Sequence, residues 1–132
     1  MGKPLALIIE DNADLSEIFS VALRGGGFET EIIRDGQAAI DRLAGTVPVV
    51  IVLDLHLPHV EGVTILQEIR ANERFAKTAV IVTTADAQTA DGLQGKADLV
   101  LLKPVSVEQL RELAKRMLRR SYETDPPADP VS

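Results

Sequence analysis

Five short apolar runs punctuate this chain, near 4–9, 29–33, 48–53, 78–83 and 98–102, and segments of helical period separate them. Leu5-Ala6-Leu7-Ile8-Ile9, Val47-Pro48-Val49-Val50-Ile51-Val52-Leu53 and Leu99-Val100-Leu101-Leu102 are apolar without interruption, so these strands are expected to be buried. Helical periodicity marks 13–24, 36–44, 61–72 and 106–120, with a weaker segment within 87–95. Strand and helix alternating in this way predict five βα units, a parallel sheet with helices on both faces. Helix starts are signalled by Asn12 or Asp14 ahead of Leu15, Ile18, Phe19, Ala22 and Leu23, by Asp35 ahead of Ala38 and Ala39, and by Ser106 ahead of Glu108 and Leu110. Gly25-Gly26-Gly27 follows a helix instead of a strand and lacks G-x-G-x-x-G spacing, so it reads as a helix end and turn, not a dinucleotide loop.

Length and composition narrow the classes. With 132 residues, 45% of them hydrophobic, the chain has room for one domain with a real core. That domain is expected over 1–120. The composition shift at Ser121-Tyr122-Glu123-Thr124-Asp125-Pro126-Pro127 marks 121–132 as a disordered tail or linker stub. No apolar stretch approaches the ~18 residues of a membrane span, and the first residues run directly into a strand, so a cytoplasmic protein is expected. The absence of cysteine excludes disulfides, thiolate chemistry and cysteine-bound zinc, and two histidines leave no histidine-rich metal site. A formal net charge of −6 argues against direct DNA binding and points to proteins or cations as partners.

The chemistry lies where the apolar runs stop. Glu10-Asp11, Asp54, Thr83-Thr84 and Lys103 each follow an apolar strand immediately. In an open parallel sheet ligands bind beyond the carboxyl ends of the strands. A buried carboxylate costs several kcal/mol unless something compensates, so acids at these addresses normally meet a metal, a cation or a reaction. Three carboxylates at one edge would repel one another unless a divalent cation lay between them, and hard oxygen donors suit Mg²⁺ or Mn²⁺. The lysine and a threonine then serve to stabilise an incoming anion, most economically a phosphoryl group.

Four motifs together resemble the receiver domain of two-component response regulators over nearly all of residues 4–120. They are Leu7-Ile8-Ile9-Glu10-Asp11-Asn12, Leu53-Asp54-Leu55-His56-Leu57-Pro58 with Glu61-Gly62, Val82-Thr83-Thr84-Ala85, and Leu101-Leu102-Lys103-Pro104-Val105. The resemblance implies a flavodoxin-like α/β sandwich, (βα)5, with five parallel strands in the order 2-1-3-4-5. It implies that Asp54 is the phosphoacceptor, taking a phosphoryl group from the phosphohistidine of a histidine kinase or phosphotransfer protein. Asp11 would bind Mg²⁺ directly, Glu10 mainly through water, and Asp54 and the main-chain carbonyl of His56 would complete the protein's ligands. Thr84 would donate its hydroxyl to a phosphoryl oxygen, with Thr83 as the neighbouring candidate. Lys103 would pair with Asp54 and then with the phosphoryl group. Pro104 would follow a cis peptide, and the family's autocatalysis would make the chain a switch, not an enzyme with an external substrate. His56 and Asp86 occupy positions that tune phosphoryl lifetime in the family. The His56 side chain could equally face solvent, and His59 reads as a surface loop residue.

Two departures bear on output. Receivers usually carry an aromatic residue three positions before the lysine, and this chain has Val100 there. Lys103 follows Thr84 by 19 positions, a few fewer than usual, and 87–96 carries two glycines, so the fourth helix is expected to be short or irregular. Output is then expected through segment 84–97 or the fifth helix, towards a downstream protein target. The stripe Leu110, Leu113, Ala114, Met117 and Leu118 fits packing on the sheet and leaves a homodimer open. A haloacid dehalogenase would need an acid where His56 stands, and Gly92-Leu93-Gln94-Gly95-Lys96-Ala97 is no phosphate loop. The alternative that remains is a phosphorylation-independent interaction module on a receiver scaffold, stand-alone or part of a larger protein.

Overall fold

A computed structural model of the chain describes residues 2–93 and 95–124. Five strands, β1 (Leu5–Ile9), β2 (Glu29–Ile33), β3 (Val50–Asp54), β4 (Ala79–Thr84) and β5 (Leu99–Leu102), form one parallel sheet in the order β2-β1-β3-β4-β5. Helices α1 (Ala13–Gly25), α2 (Gly36–Leu43), α3 (Gly62–Ala71), α4 (Ala87–Gly92) and α5 (Val107–Thr124) connect and follow them, with a single 3-10 turn at Glu73–Phe75. This is the flavodoxin-like fold expected from the sequence. The last helix runs to Thr124, past the expected boundary at 120, and the rest of the expected tail lies outside the described residues.

Alternation along the strands builds two cores. On one face Leu7, Ile9, Ile51, Leu53, Val80 and Val82 pack with Ala39 and Leu43 of α2 and Ile65, Leu66 and Ile69 of α3. On the other, Ala6, Ile8, Val50, Val52 and Ile81 pack with Phe19 and Leu23 of α1 and Leu110, Ala114 and Met117 of α5. Burial on both faces explains why β1 and β3 read as unbroken apolar runs, whereas β5, expected to be buried as well, lies at the edge of the sheet, is only half-buried and leaves Leu102 exposed. The α5 stripe is largely used up against the sheet: Leu110, Ala114 and Met117 are buried there and Leu118 packs beside them.

Side-chain caps place the helices. Asn12, not Asp14, caps α1 by accepting the Leu15 N–H at 2.9 Å. Asp35 accepts from the N–H groups of Gln37 and Ala38, and the Ser106 hydroxyl from Gln109. The triple glycine ends α1, with Gly27 at φ +99°. At six residues α4 is short, as expected, and Arg70 of α3 helps to secure the neighbouring chain. Its guanidinium donates to the Lys96 carbonyl at 2.9 Å and to Asp98 Oδ2 at 2.7 Å, an oxygen that also accepts the Val80 N–H.

One close approach matters for the site. The N-terminus of α3 rests on the end of β3, with the Gly62 N–H donating to the Leu55 carbonyl at 3.1 Å. A Cβ on Gly62 would stand 2.4 Å from the Asp54 carbonyl oxygen and 2.5 Å from the Leu55 Cα, backbone atoms that cannot yield as a side chain would. Gly62→Ala is expected to lower stability by about 1–3 kcal/mol, the usual range for overpacking. The check is a lower urea midpoint at unchanged m-value; an unchanged midpoint would mean that α3 can lift off β3 freely.

Candidate functional site

Strand parity assembles the site. Glu10 stands two residues beyond Ile8, Asp54 two beyond Val52, Thr83 two beyond Ile81 and Lys103 two beyond Leu101, and all four preceding residues pack on the α1/α5 face. Each of these strands therefore delivers a polar side chain on the same face just as its apolar cover ends. Glu10 and Asp54 are each only 1% exposed, whereas Asp11, at the entrance to α1, is exposed.

Ligand oxygens of Glu10, Asp11 and Asp54 all lie within 4.8 Å of one another. Lys103 Nζ sits between two of the acids, 3.2 Å from Glu10 Oε1 and 3.3 Å from Asp54 Oδ1. Main-chain donors fix the carboxylates: the Asn12 N–H reaches Glu10 Oε2 at 3.1 Å and the His56 N–H reaches Asp54 Oδ1 at 3.2 Å. The same Asn12 thus caps α1 with its side chain and orients an acid with its backbone, a double role that residue type alone does not reveal. The peptide between Lys103 and Pro104 is cis, and the Lys103 N–H donates to the Thr84 carbonyl at 2.8 Å.

The two threonines diverge. Thr83 is the in-register partner of Asp54 and shares its face, while Thr84 follows Val82 on the α2/α3 side, and both are fully buried. The Thr84 hydroxyl accepts the Asp86 N–H at 3.1 Å. Asp86 in turn caps α4, accepting from the Gln88 N–H at 2.9 Å and the Thr89 hydroxyl at 2.8 Å. Those bonds, with the Thr89 hydroxyl foremost, hold the Asp86 carboxyl below the ordinary carboxylate range, and the His56 charge adds a little. The His56 side chain is exposed. His59 lies in the same loop with φ +72°, its Nδ1 3.7 Å from Asp35 Oδ1. Val100 is half-buried against the α2/α3 core.

Electrostatics follow from burial. Desolvation raises the Glu10 carboxyl above its ordinary value and the neighbouring Asp54 adds to that, while the Asn12 N–H and Lys103 pull the other way. For Lys103, burial opposes the charge, but Asp54 and Glu10 together outweigh it and raise the ammonium pKa. Three oxygen donors from carboxylates, one of them open to solvent, suit a small hard dication that keeps several waters. The residues present therefore fit Mg²⁺.

A family model for the response regulator receiver domain matches residues 6–115. The transcriptional regulatory protein TrcR of Mycobacterium tuberculosis is 34% identical over 131 residues, which are 97% of this chain and 51% of that protein. The chain spans about half the length of the curated relatives it matches. Among solved structures, a signal receiver domain ascribed to a Luxo repressor protein of Vibrio parahaemolyticus superposes with a TM-score of 0.84 at 26% identity, covering 93% of this chain and 95% of that one. The receiver domain of a sensor histidine kinase from Pseudomonas aeruginosa PAO1, described with a magnesium ion coordinated in its active site cleft, gives 0.79 at 27% identity, covering 90% and 99%.

Glu10 also yields a pH test. An acid whose folded pKa lies above its unfolded value binds more protons when folded, so its contribution makes stability fall as pH rises from about 4.5 through the folded pKa. Glu10→Gln should therefore stabilise the metal-free protein at neutral pH, with the gain vanishing as pH falls towards 4.5. Urea unfolding with a chelator present, across that range, checks this. A gain that stayed constant down to pH 4.5 would place its origin elsewhere.

Proposed function

The chain belongs to the response regulator receiver domain family, and on that premise we propose that it accepts a phosphoryl group on Asp54 from the phosphohistidine of a histidine kinase or phosphotransfer protein, and signals by phosphorylation-dependent contacts with a downstream protein. The observation that carries this reading is the buried Asp54 carboxylate, grouped with Glu10 and Asp11 and 3.3 Å from Lys103 Nζ. Phosphoryl transfer requires little beyond positioning and neutralisation of charge, and these groups supply both.

An oxygen of Asp54 attacks phosphorus, the P–N bond to the donor's imidazole breaks, and its electron pair returns to the ring. Asp11, Asp54 and the His56 carbonyl would hold Mg²⁺ directly, and Glu10 through water. The ion, when bound, supplies positive charge opposite the phosphoryl oxygens. Lys103, already charged and paired with the Asp54 carboxylate, needs only a short shift to meet the phosphoryl group. Thr84 is a suitable donor because its hydroxyl at present only accepts, from the Asp86 N–H, so that its own O–H can be given to an anion. Among the described residues no helix is long and apolar enough to cross a membrane, consistent with a protein that works in the cytoplasm without entering the bilayer. The net charge of −6 keeps direct DNA contact out of the proposal for this segment.

The test is intact mass after incubation with Mg²⁺ and acetyl phosphate. One added phosphoryl group is expected, lost with a chelator and absent from Asp54→Ala. Failure of both acetyl phosphate and a cognate kinase to label the chain would favour a phosphorylation-independent interaction module, a reading that draws on Val100 and the six-residue α4.

Output should run through the β4–α4 segment. If Thr84 swings to the phosphoryl group, it releases the Asp86 N–H, and Asp86 is the residue that caps α4. This connection needs no aromatic at position 100. Beryllofluoride with Mg²⁺ is expected to change amide exchange across 86–97 or the start of α5. Changes confined to the ends of β1 and β3 would overturn it.

A further inference from the structure

Among the described residues, the non-glycine residue at positive φ is His59, in the chain that joins β3 to α3. The Val60 N–H donates to the Pro58 carbonyl, two residues back, at 2.8 Å, closing a γ-turn centred on His59 at φ +72°. Such a turn is rare for a residue with a side chain, and strain of this kind persists only where the surroundings over-determine it. The His59 side chain offers little in return, being 72% exposed with Asp35 Oδ1 3.7 Å from its Nδ1.

The start of α2 holds the turn. Asp35 caps that helix, and the N–H of the next residue, Gly36, donates to the same Pro58 carbonyl at 3.2 Å. Gly36 is buried so closely against the turn that a Cβ would stand 2.3 Å from the Val60 carbonyl oxygen and 2.7 Å from the Val60 Cβ. Leu57 and Val60 add packing on the α2/α3 core. The chain between Asp54 and Gly62 is therefore pinned twice. At its start the Leu55 N–H donates to the Thr83 carbonyl at 3.2 Å and the Leu55 carbonyl accepts from Gly62, and further on residues 58–60 are seated on α2. His56, whose N–H reaches Asp54 Oδ1, lies between the two pins.

We propose that Gly36 is a positioning residue for the metal site. It rests on the reading above, in which the His56 carbonyl and the acids hold Mg²⁺. Gly36 touches neither the cation nor the phosphoryl group, and the β2–α2 junction supplies no ligand. It acts through the turn: with 58–60 seated on α2, the course of the chain through His56 is fixed before the cation arrives, so less chain has to be ordered on binding. Glycine is required because any side chain at 36 would lift the turn from its seat.

Gly36→Ala tests this. Mg²⁺ affinity is measured on the folded, unphosphorylated chain by competition with Mn²⁺, whose free-ion EPR signal falls on binding. Gly36→Ala is expected to weaken Mg²⁺ binding about tenfold, the low end of the loss that follows removal of a group orienting a metal ligand. Leu43→Ala, a core truncation at the other end of α2, should lower the urea midpoint and keep the affinity of the parent chain. Parent affinity in Gly36→Ala, with only a lower urea midpoint, would overturn the proposal and leave the glycine a packing device. Equal weakening by Leu43→Ala would also overturn it, assigning the effect to general loosening of α2. Should Gly36→Ala not fold, the helix cap decides, because Asp35→Ala frees the first turn of α2 while Asp35→Asn keeps a capping oxygen. Weaker binding in the alanine variant alone then supports the proposal, and the same affinity in both variants overturns it. A parent chain that binds Mg²⁺ no better than Asp11→Ala removes the metal reading itself, an outcome seen before any loop variant is compared.

Discussion

The site depends on one ammonium held between two buried carboxylates. Glu10 and Asp54 stand at the ends of adjacent strands with almost no solvent of their own, and two like charges so placed would drive each other towards protonation. Lys103 Nζ lies within 3.3 Å of both, and its own pKa rises because the two acids outweigh its burial. A quarter of the lysine side chain remains exposed, so this is a partly solvated pair in which desolvation is tempered. Lysine suits the place better than arginine would, because a compact point charge on a flexible stem can lie between two carboxylates without a rigid two-pronged geometry to satisfy.

Parity turns this local pairing into a property of the fold. Each central strand spends its last turn of alternation on a charged or polar group, with core residues immediately before it on the same face. The sheet is thus a fixed ruler whose carboxyl edge carries the chemistry, and α3 seals one side of it because Gly62 permits backbone contact with Asp54. What is not fixed lies next to β4. There the site connects to α4 through Thr84 and Asp86, hydrogen bonds that can be exchanged at low cost, while the neighbouring chain is secured by Arg70 and Asp98.

Much of this was legible in the sequence, for physical reasons that also explain the rest. Central strands covered on both faces need no polar alternation, so Leu5–Ile9 and Val50–Leu53 announce themselves as apolar runs, and the residue that ends such a run is marked by contrast. Glu10, Asp54 and Lys103 could be found that way. The short α4 was readable from glycines and sparse apolar anchors. The edges of elements were less so: β3 begins at Val50, not 48, and α5 continues past 120, because helix ends are settled by contacts that composition does not specify. Nor does residue type disclose that the Asn12 backbone orients Glu10, or that Arg70 and Asp98, distant in sequence, meet at 2.7 Å.

The pair Thr83-Thr84 shows where sequence reading stops. Alternation guarantees that the two hydroxyls part company, but which of them shares a face with Asp54 depends on the register between β3 and β4, a long-range property. Once that register is known, the two carry different obligations. Thr84 is coupled through Asp86 to a helix and is suited to report a change, whereas the Thr83 hydroxyl has no hydrogen-bond partner among the described residues.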